Sequence, residues 1–438
     1  MRMQFVVRRT SLLLAAASVI GAAGCGSSSS HTTTTTTTTT ASGANVLPIS
    51  VDGGPTAKQS GGSIYENAAF ATVTVCVPGT SNCTTIDNLL VDTGSVGLRV
   101  FDSEVSSLGL PALNASNGSA AYNCVAFVDG SYLWGHVEQA DVGLGGETAS
   151  KVPIQVISSS NTGVPSACSN GGTTNDNTTT LLGANGILGV GVEPTDCYYE
   201  GGSACSPLAG LSTPPPVYFT CSGGSCSQAY VAVANQVANP VALLPKDNNG
   251  VIVELPAVSG AEASVNGSLV FGIGTESNNQ LASSATIFTL TCDEFTTDFS
   301  GHTYAPGSGC SGAGSFIDSG SNGLFFPNAS NIPTCPKSTS IGDLSSWYCP
   351  SSTESLSATN SGANGSSKST GFSVANAETL FTSSSTDTDA AMATLAGANP
   401  SGYGFDWGLP FFYGVHVYVA MDGQGMPSGA PRAPWWAY

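Results

Sequence analysis

Charge is scarce in this chain, and positive charge scarcest. Of 438 residues only 9% are charged, and Lys and Arg number 10 against 29 Asp and Glu. So low a basic content argues against phosphate-rich partners, whose binding needs Lys and Arg to displace counterions, and no nucleic acid is expected. Charge is also too sparse, and the hydrophobic fraction of 41% too high, for the body of the chain to be disordered. Long helical bundles and coiled coils need far more Glu, Lys, Arg and Leu. The Cys residues include no tight CxxC pair and the four His are scattered, so neither a metal nor a cofactor is expected. G-x-S-x-G, H-E-x-x-H and P-loop patterns are missing, which leaves serine hydrolase, zincin and nucleotide chemistry without support.

What is abundant points to strands and turns. There are 54 Gly and 24 Pro, and Ser, Thr, Val and Asn are frequent. Short β-rich runs recur at Ala71–Val75, Lys151–Ile157, Val251–Leu255, Ser268–Phe271 and Val415–Ala420, punctuated by turn residues. Helix is expected only over Ala375–Phe381 and Thr386–Ala396. Pro214-Pro215-Pro216 and Ser361–Thr370 read as loops. The expectation is an all-β protein of two or three domains.

The first segment reads differently. Arg2, Arg8 and Arg9 precede an apolar run, Leu12–Ala23, shorter than the ~20 residues of a membrane span. The run ends in Ala22-Ala23-Gly24-Cys25, which resembles a bacterial lipobox. Residues 1–24 are therefore expected to be a signal peptide and Cys25 the site of lipidation, anchoring the chain in a membrane. Residues 25–45, with four consecutive Ser and nine consecutive Thr, read as a flexible tether. Gly26, not Asp, follows the Cys, which favours an outer-membrane or cell-surface location over the inner membrane. Without the three leading Arg, seven basic residues face 29 acidic ones, a formal charge of −22. The acidity suits a soluble exported protein and, more sharply, one that tolerates acid.

Beyond Cys25, twelve Cys remain, enough for six disulfides in an oxidising compartment. Spacing suggests that neighbours pair: 76 with 83, 197 with 205, 221 with 226, 292 with 310 and 335 with 349. Cys124 and Cys168 are left for each other.

The most informative feature is an internal repeat. Val91-Asp92-Thr93-Gly94-Ser95-Val96-Gly97-Leu98 recurs 226 residues later as Ile317-Asp318-Ser319-Gly320-Ser321-Asn322-Gly323-Leu324, with five positions identical. Each copy is followed at a distance by an apolar Gly-containing segment, Gly186–Gly191 after the first and Asp406–Phe412 after the second. An Asp at the end of an aliphatic run, followed by Gly, places a carboxylate at a tight turn. The hydroxyls of Thr93, Ser95, Ser319 and Ser321 can fix the loops and the carboxylates. Facing lobes would bring Asp92 and Asp318 together, and two carboxylates about 3 Å apart share one proton. One can then act as base toward a water and the other as acid toward a carbonyl.

On these motifs the chain resembles the pepsin-type aspartic peptidases, a bilobal β fold with one Asp-Thr/Ser-Gly loop per lobe and a cleft between. It also resembles a bacterial lipoprotein family of unknown function. The pepsin resemblance runs through islands within residues 60–425, namely Val91–Val100, Gly186–Gly191, Gly267–Gly274, Ser315–Phe326 and Phe405–Met421. It implies an N-terminal β lobe over 46–283 and a C-terminal β lobe over 284–438. It further implies a catalytic pair Asp92 and Asp318 supported by Thr93, Gly94, Ser95, Ser319, Gly320 and Ser321, and a polypeptide substrate cleaved by a monomer.

Three positions depart from the family pattern. The hairpin expected to cover the cleft is Phe127–Gly135, with Phe127, Gly130 and Tyr132 as flap candidates; Phe127 stands where the family carries Tyr. Arg99 replaces the Trp that partners that Tyr and is a candidate cleft residue or, equally, a structural ion-pair partner. The second buttress reads Asp406-Trp407-Gly408. The paired change at Phe127 and Arg99 motivates a rival expectation, a non-catalytic surface module that binds a peptide, glycan or envelope component on the same scaffold. A plain β-sandwich adhesin would leave the repeat unexplained.

Overall fold

The computed structural model of the chain describes residues 42–57, 64–160, 163–169, 174–199, 202–310, 312–328, 330–337, 342–382, 389–399 and 404–438. The expected signal peptide, Cys25 and nearly all of the tether lie outside the described residues. Among those described, no helix is long and apolar enough to cross a membrane.

Alternation and apolar runs build the first lobe. In β2 (Phe70–Cys76) Val73 and Val75 point inward while Thr72 and Thr74 point out, the period of a half-buried strand. The strand β3 (Cys83–Asp92) starts exposed and ends with Leu89-Leu90-Val91-Asp92 wholly buried. Its partner β8 (Gly186–Val190) is buried throughout. The two run parallel, with Asp92 opposite Gly189, and both read as continuous apolar segments because each is covered on two faces. The strand β4 (Val96–Phe101) turns back from the Asp92 loop and lies antiparallel on the other side of β8. Next come β7 (Glu147–Ile157) and β6 (Tyr132–Leu144). β6 shifts register between Ala140 and Val142, and beyond that point it reaches β2, with Thr74 opposite Gly143. The order β2-β3-β8-β4-β7-β6-β2 therefore closes a six-stranded barrel, packed around Val91, Leu98, Ile154 and Leu188 among others.

The sheet does not stop there. β1 (Val46–Val51) joins β2 to the strand Val265–Phe271, which continues through Gly250–Glu254, His416–Ala420 and Trp435–Ala437 to Ile287–Thr289. The strands nearest the two ends of the described chain thus lie in one fifteen-stranded sheet.

The second repeat builds a smaller unit on the same plan. Phe316–Ile317 pairs parallel with Asp406–Trp407, and Leu324–Phe326 pairs antiparallel on its other side. In both units the two strands flanking an Asp loop sandwich a third strand from far along the chain. Gly189 and Gly408 permit this close approach. A methyl at Gly189 would lie 2.8 Å from the Val96 backbone, and one at Gly408 2.0 Å from the Gly323 carbonyl oxygen. The second unit is packed with aromatics: Phe326 stacks on Phe405 at 5.2 Å, and Phe405 on Trp407 at 5.1 Å. The chain therefore adopts an all-β, two-lobed architecture of the pepsin-like kind.

Two local expectations fail. The sequence predicts a helix over Thr386–Ala396, of which residues 386–388 lie outside the described residues. Instead Ala391–Met392 pairs with Ala261–Glu262, and Ala396–Ala398 pairs parallel with Leu324–Phe326. Alanine's helix preference is weak beside the gain from completing a buried sheet. The loop expected over Ser361–Thr370 narrows to a tight turn between the strands Glu354–Ser361 and Ser367–Val374, because a polar strand with both faces partly wet carries no apolar period. The helix expected at Ala375–Phe381 is present as Ala377–Thr382. All six disulfides form between the expected partners.

The lobes meet at a reciprocal clasp. Thr93 Oγ1 donates to the Ile317 carbonyl at 3.2 Å and accepts from the Ser319 amide at 2.9 Å. Ser319 Oγ donates to the Val91 carbonyl at 2.7 Å and accepts from the Thr93 amide at 3.1 Å. Both residues are 0–1% exposed, so every lost bond leaves a buried group unsatisfied. Thr93→Val is expected to lower unfolding free energy by about 1–3 kcal/mol in chemical denaturation. Thr93→Ser, which keeps the hydroxyl, should retain more than half of that stability; equal losses from both substitutions would show that shape, not hydrogen bonding, holds the lobes.

Candidate active site

The clasp sets Asp92 and Asp318 side by side. Asp92 closes β3, and Asp318 follows Phe316–Ile317 directly, its amide bonded to the Trp407 carbonyl at 3.1 Å. Each loop then turns the same way. The Gly94 amide donates to Asp92 Oδ1 at 2.8 Å, and the Gly320 amide to Asp318 Oδ1 at 2.7 Å. The hydroxyl of Ser95 donates to Asp92 Oδ2, and Ser321 Oγ lies 3.0 Å from Asp318 Oδ2. The two carboxyls both face Gly320, where a methyl would lie 2.6 Å from Asp92 Oδ1 and 3.1 Å from Asp318 Oδ1, so Gly is required where the loops cross. The structure thus gathers Thr93, Gly94, Ser95, Ser319, Gly320 and Ser321 around the pair.

Electrostatics separates two chemically identical groups. Both Asp side chains are 0% exposed, and burial pushes both carboxyls up. For Asp92 the rise is opposed by Ser95, by Asp318, by the Gly94 amide and by the Arg99 charge. For Asp318 the charges of Asp92 and Asp406 add to burial and hold it well above the ordinary carboxylate range. Both carboxyls are thus held above their ordinary range, which favours a shared proton. The protons belong to the pair and not to either residue. A carboxylate beside a carboxylic acid is the arrangement that activates a water on one side and protonates a carbonyl on the other.

Asp406 escaped the sequence reading as a site residue. Its side chain is 0% exposed, and Ser321 Oγ lies 2.7 Å from its Oδ2. The signal was present in the repeat, because Asp406 stands two residues before Gly408 as Ile187 stands two before Gly189.

Arg99 does not line a cleft. It is 0% exposed and paired with Asp196 at 3.1 Å, with further bonds to Asn123 Oδ1 and Gln155 Oε1, both 2.6 Å, and to the Val96 carbonyl. Asp196 also accepts from Asn123 Nδ2 at 2.8 Å and from the Tyr218 hydroxyl. The reading as a substrate contact is corrected to that of a structural ion pair, since a buried cation needs its counter-charge and its hydrogen bonds. Asp196 lies 97 residues further on, and nothing local in the sequence ties it to Arg99.

The flap candidates occupy a hairpin turn between β5 (Tyr122–Ala126) and β6. Gly130 has φ 88° and its amide bonds the Phe127 carbonyl at 3.0 Å. Phe127 is buried in a cluster with Phe70, Leu133 and Leu182. Tyr132 is buried in a different one, with Trp134, Phe219 and the Cys124–Cys168 bridge. The hairpin is held from both edges. Tyr218–Ser222 pairs with β5, and the Tyr132 backbone bonds Thr174 and Asp176.

A cavity of about 140 Å³ lies against the Asp92 loop, lined by Gly94, Glu193, Asp293, Phe316 and Trp436 among others. Burial, then the adjoining Asp293 charge, pushes the Glu193 carboxyl well up. Acidic groups thus border the Asp92 loop on this side, while neither Asp92 nor Asp318 lines the cavity.

No curated protein matches the sequence. Among solved structures, the chain is similar to an aspartic proteinase from Irpex lacteus, with 15% identity and a TM-score of 0.42, over 86% of this chain and 94% of that one. A family model described as "Protein of unknown function (DUF3443)" matches residues 41–438, and the chain belongs to that family.

Proposed function

We propose that the protein is an exported, lipid-anchored aspartic-type endopeptidase acting on polypeptides. The observation that supports this reading is the Asp92–Asp318 pair itself: two buried carboxyls set side by side and held by mirrored loops, with burial pushing both up. Asp92 would take a proton from water as that water attacks the peptide carbonyl. Asp318 would give its proton to the carbonyl oxygen; as the C–N bond of the resulting tetrahedral diol breaks, Asp92 would give its proton to the leaving nitrogen and Asp318 would take one from a diol hydroxyl, leaving acid, amine and the starting pair. The step needs no covalent intermediate, and each proton has a named donor and acceptor.

A second reading has its own support. Both Asp side chains are 0% exposed, and the hairpin expected to move over the cleft is stapled by Cys124–Cys168 and flanked by strand Tyr218–Ser222. A scaffold that binds a peptide, glycan or envelope component without cleaving it fits a site so enclosed.

Two measurements decide. With the chain from Val46 onward, cleavage of a denatured protein should appear between acid and neutral pH, and Asp92→Asn or Asp318→Asn should reduce kcat/KM by on the order of 10⁴-fold. Cleavage that survives either substitution would sink the peptidase reading. A statine-type inhibitor, which mimics the tetrahedral state, should raise Tm of the unmodified chain and leave Asp318→Asn unmoved; no shift in either would favour the binding scaffold.

The anchor is tested separately. The full chain expressed in a bacterium fed labelled palmitate should incorporate label, and Cys25→Ser should abolish it and release the protein from membranes. Equal labelling of both would remove Cys25 from the proposal.

A further inference from the structure

The two lobes share one plan, and one residue breaks it. In the first unit Ile187 pairs parallel with Leu90, two residues before Asp92, and antiparallel with Arg99. In the second, Asp406 holds the same place, opposite Phe316, two residues before Asp318, and opposite Phe325. The first lobe buries an aliphatic side chain there; the second buries a carboxyl, at 0% exposure. An isolated buried charge is costly, so a carboxyl in a place its twin fills with Ile calls for a specific partner.

One such partner is the active pair, reached through one hydroxyl. Ser321 Oγ stands 2.7 Å from Asp406 Oδ2 and 3.0 Å from Asp318 Oδ2. A hydroxyl has one hydrogen to donate, so it can satisfy one of these carboxyls; the other contact is a hydrogen bond only if that carboxyl carries a proton and donates to Oγ. Ser321 is therefore bonded to both carboxyls only when Asp318 and Asp406 hold a proton between them.

We propose that Asp406 is a positioning residue that extends the pair to a carboxyl triad through the Ser321 hydroxyl it shares with Asp318. It deepens the peptidase reading and rests on it for its role in catalysis, while the triad itself stands on the geometry. The groups facing Asp318 are Asp92, Asp406, Ser321 and the Gly320 amide. Those facing Asp92 are Ser95, Asp318, the Gly94 amide and, at longer range, Arg99. The Asp406 charge adds to burial and to Asp92 in holding Asp318 up. Removing it should let Asp318 ionise at lower pH.

The sign in stability follows. A carboxyl raised on folding favours the folded state below its unfolded pKa, and that contribution is lost as pH rises through the folded value. Tm of the chain from Val46 should therefore fall as pH is raised from about 4 toward neutrality, part of the fall arising from the triad. Asp406→Asn, which keeps shape, and Asp406→Ile, the residue type of the first lobe, should both flatten this fall. The variants should gain about 3 °C or more on the parent between acid and neutral pH. Either variant suffices should the other fail to fold. In an Asp318→Asn background the gain from Asp406→Asn should shrink, because its target is gone.

A displacement of Tm independent of pH in both variants, or an undiminished gain with Asp318→Asn, would overturn the triad. If the protein cleaves polypeptides, Asp406→Asn should move the upper limb of kcat/KM down by about one pH unit, with KM unchanged. The thermal titration needs no turnover. A chain that cleaves nothing yet shows the coupled titration would retire the peptidase reading and keep the triad; an uncoupled titration would retire the triad whatever the activity.

Discussion

The Thr93–Ser319 clasp is the constraint on which the rest depends. Each residue gives its hydroxyl to the other lobe's backbone and receives the other's amide, so four hydrogen bonds join the loops around a local two-fold axis. The residues immediately before them are Asp92 and Asp318, which leaves the carboxyls no freedom to separate. Repulsion between two like groups in a dry interior would otherwise drive them apart or force one to protonate alone. Backbone bonds, which do not titrate, hold the distance, and the shared proton answers the repulsion. Geometry and charge are thus assigned to different atoms.

The lobes are alike where the carboxyls are gripped and different behind them. The first unit sits in a closed barrel, and its Asp loop is backed by aliphatic side chains, with an ion pair, Arg99–Asp196, buried nearby. The second is a short sheet padded by aromatic rings and carrying Asp406. Similar loops therefore lie in unlike surroundings: burial raises both carboxyls, the Arg99 cation opposes the rise at Asp92, and the Asp406 carboxyl adds to it at Asp318.

Much of this was legible in the residues. The repeat named both carboxylates and the hydroxyls that grip them, because a turn of such sharpness leaves a fixed pattern of Asp, Gly and Ser. Neighbouring Cys found their partners because short loops bring their ends together. What stayed hidden depended on distance. Asp196 neutralises Arg99 from 97 residues away, and no periodicity links them. Ala391 and Ala396 read as helix formers, yet each completes a strand whose partner is remote in the chain. Asp406 was visible but was taken only as a change of buttress, since a single sequence shows the residue and not the face it turns.

The continuous sheet has a consequence for how the protein comes into being. Val46–Val51 needs Val265–Val270 beside it, and Gly250–Glu254 needs His416–Ala420. A chain emerging from its N-terminus can close the barrel early but cannot seat β1 until more than half of it has been made. The second carboxylate loop has no buttress until residues 406–408 arrive. Such long-range pairing makes for slow assembly. The paired carboxyls can come together only near the end of it, so the nascent chain would carry no assembled acid–base pair while most of it was still unfolded.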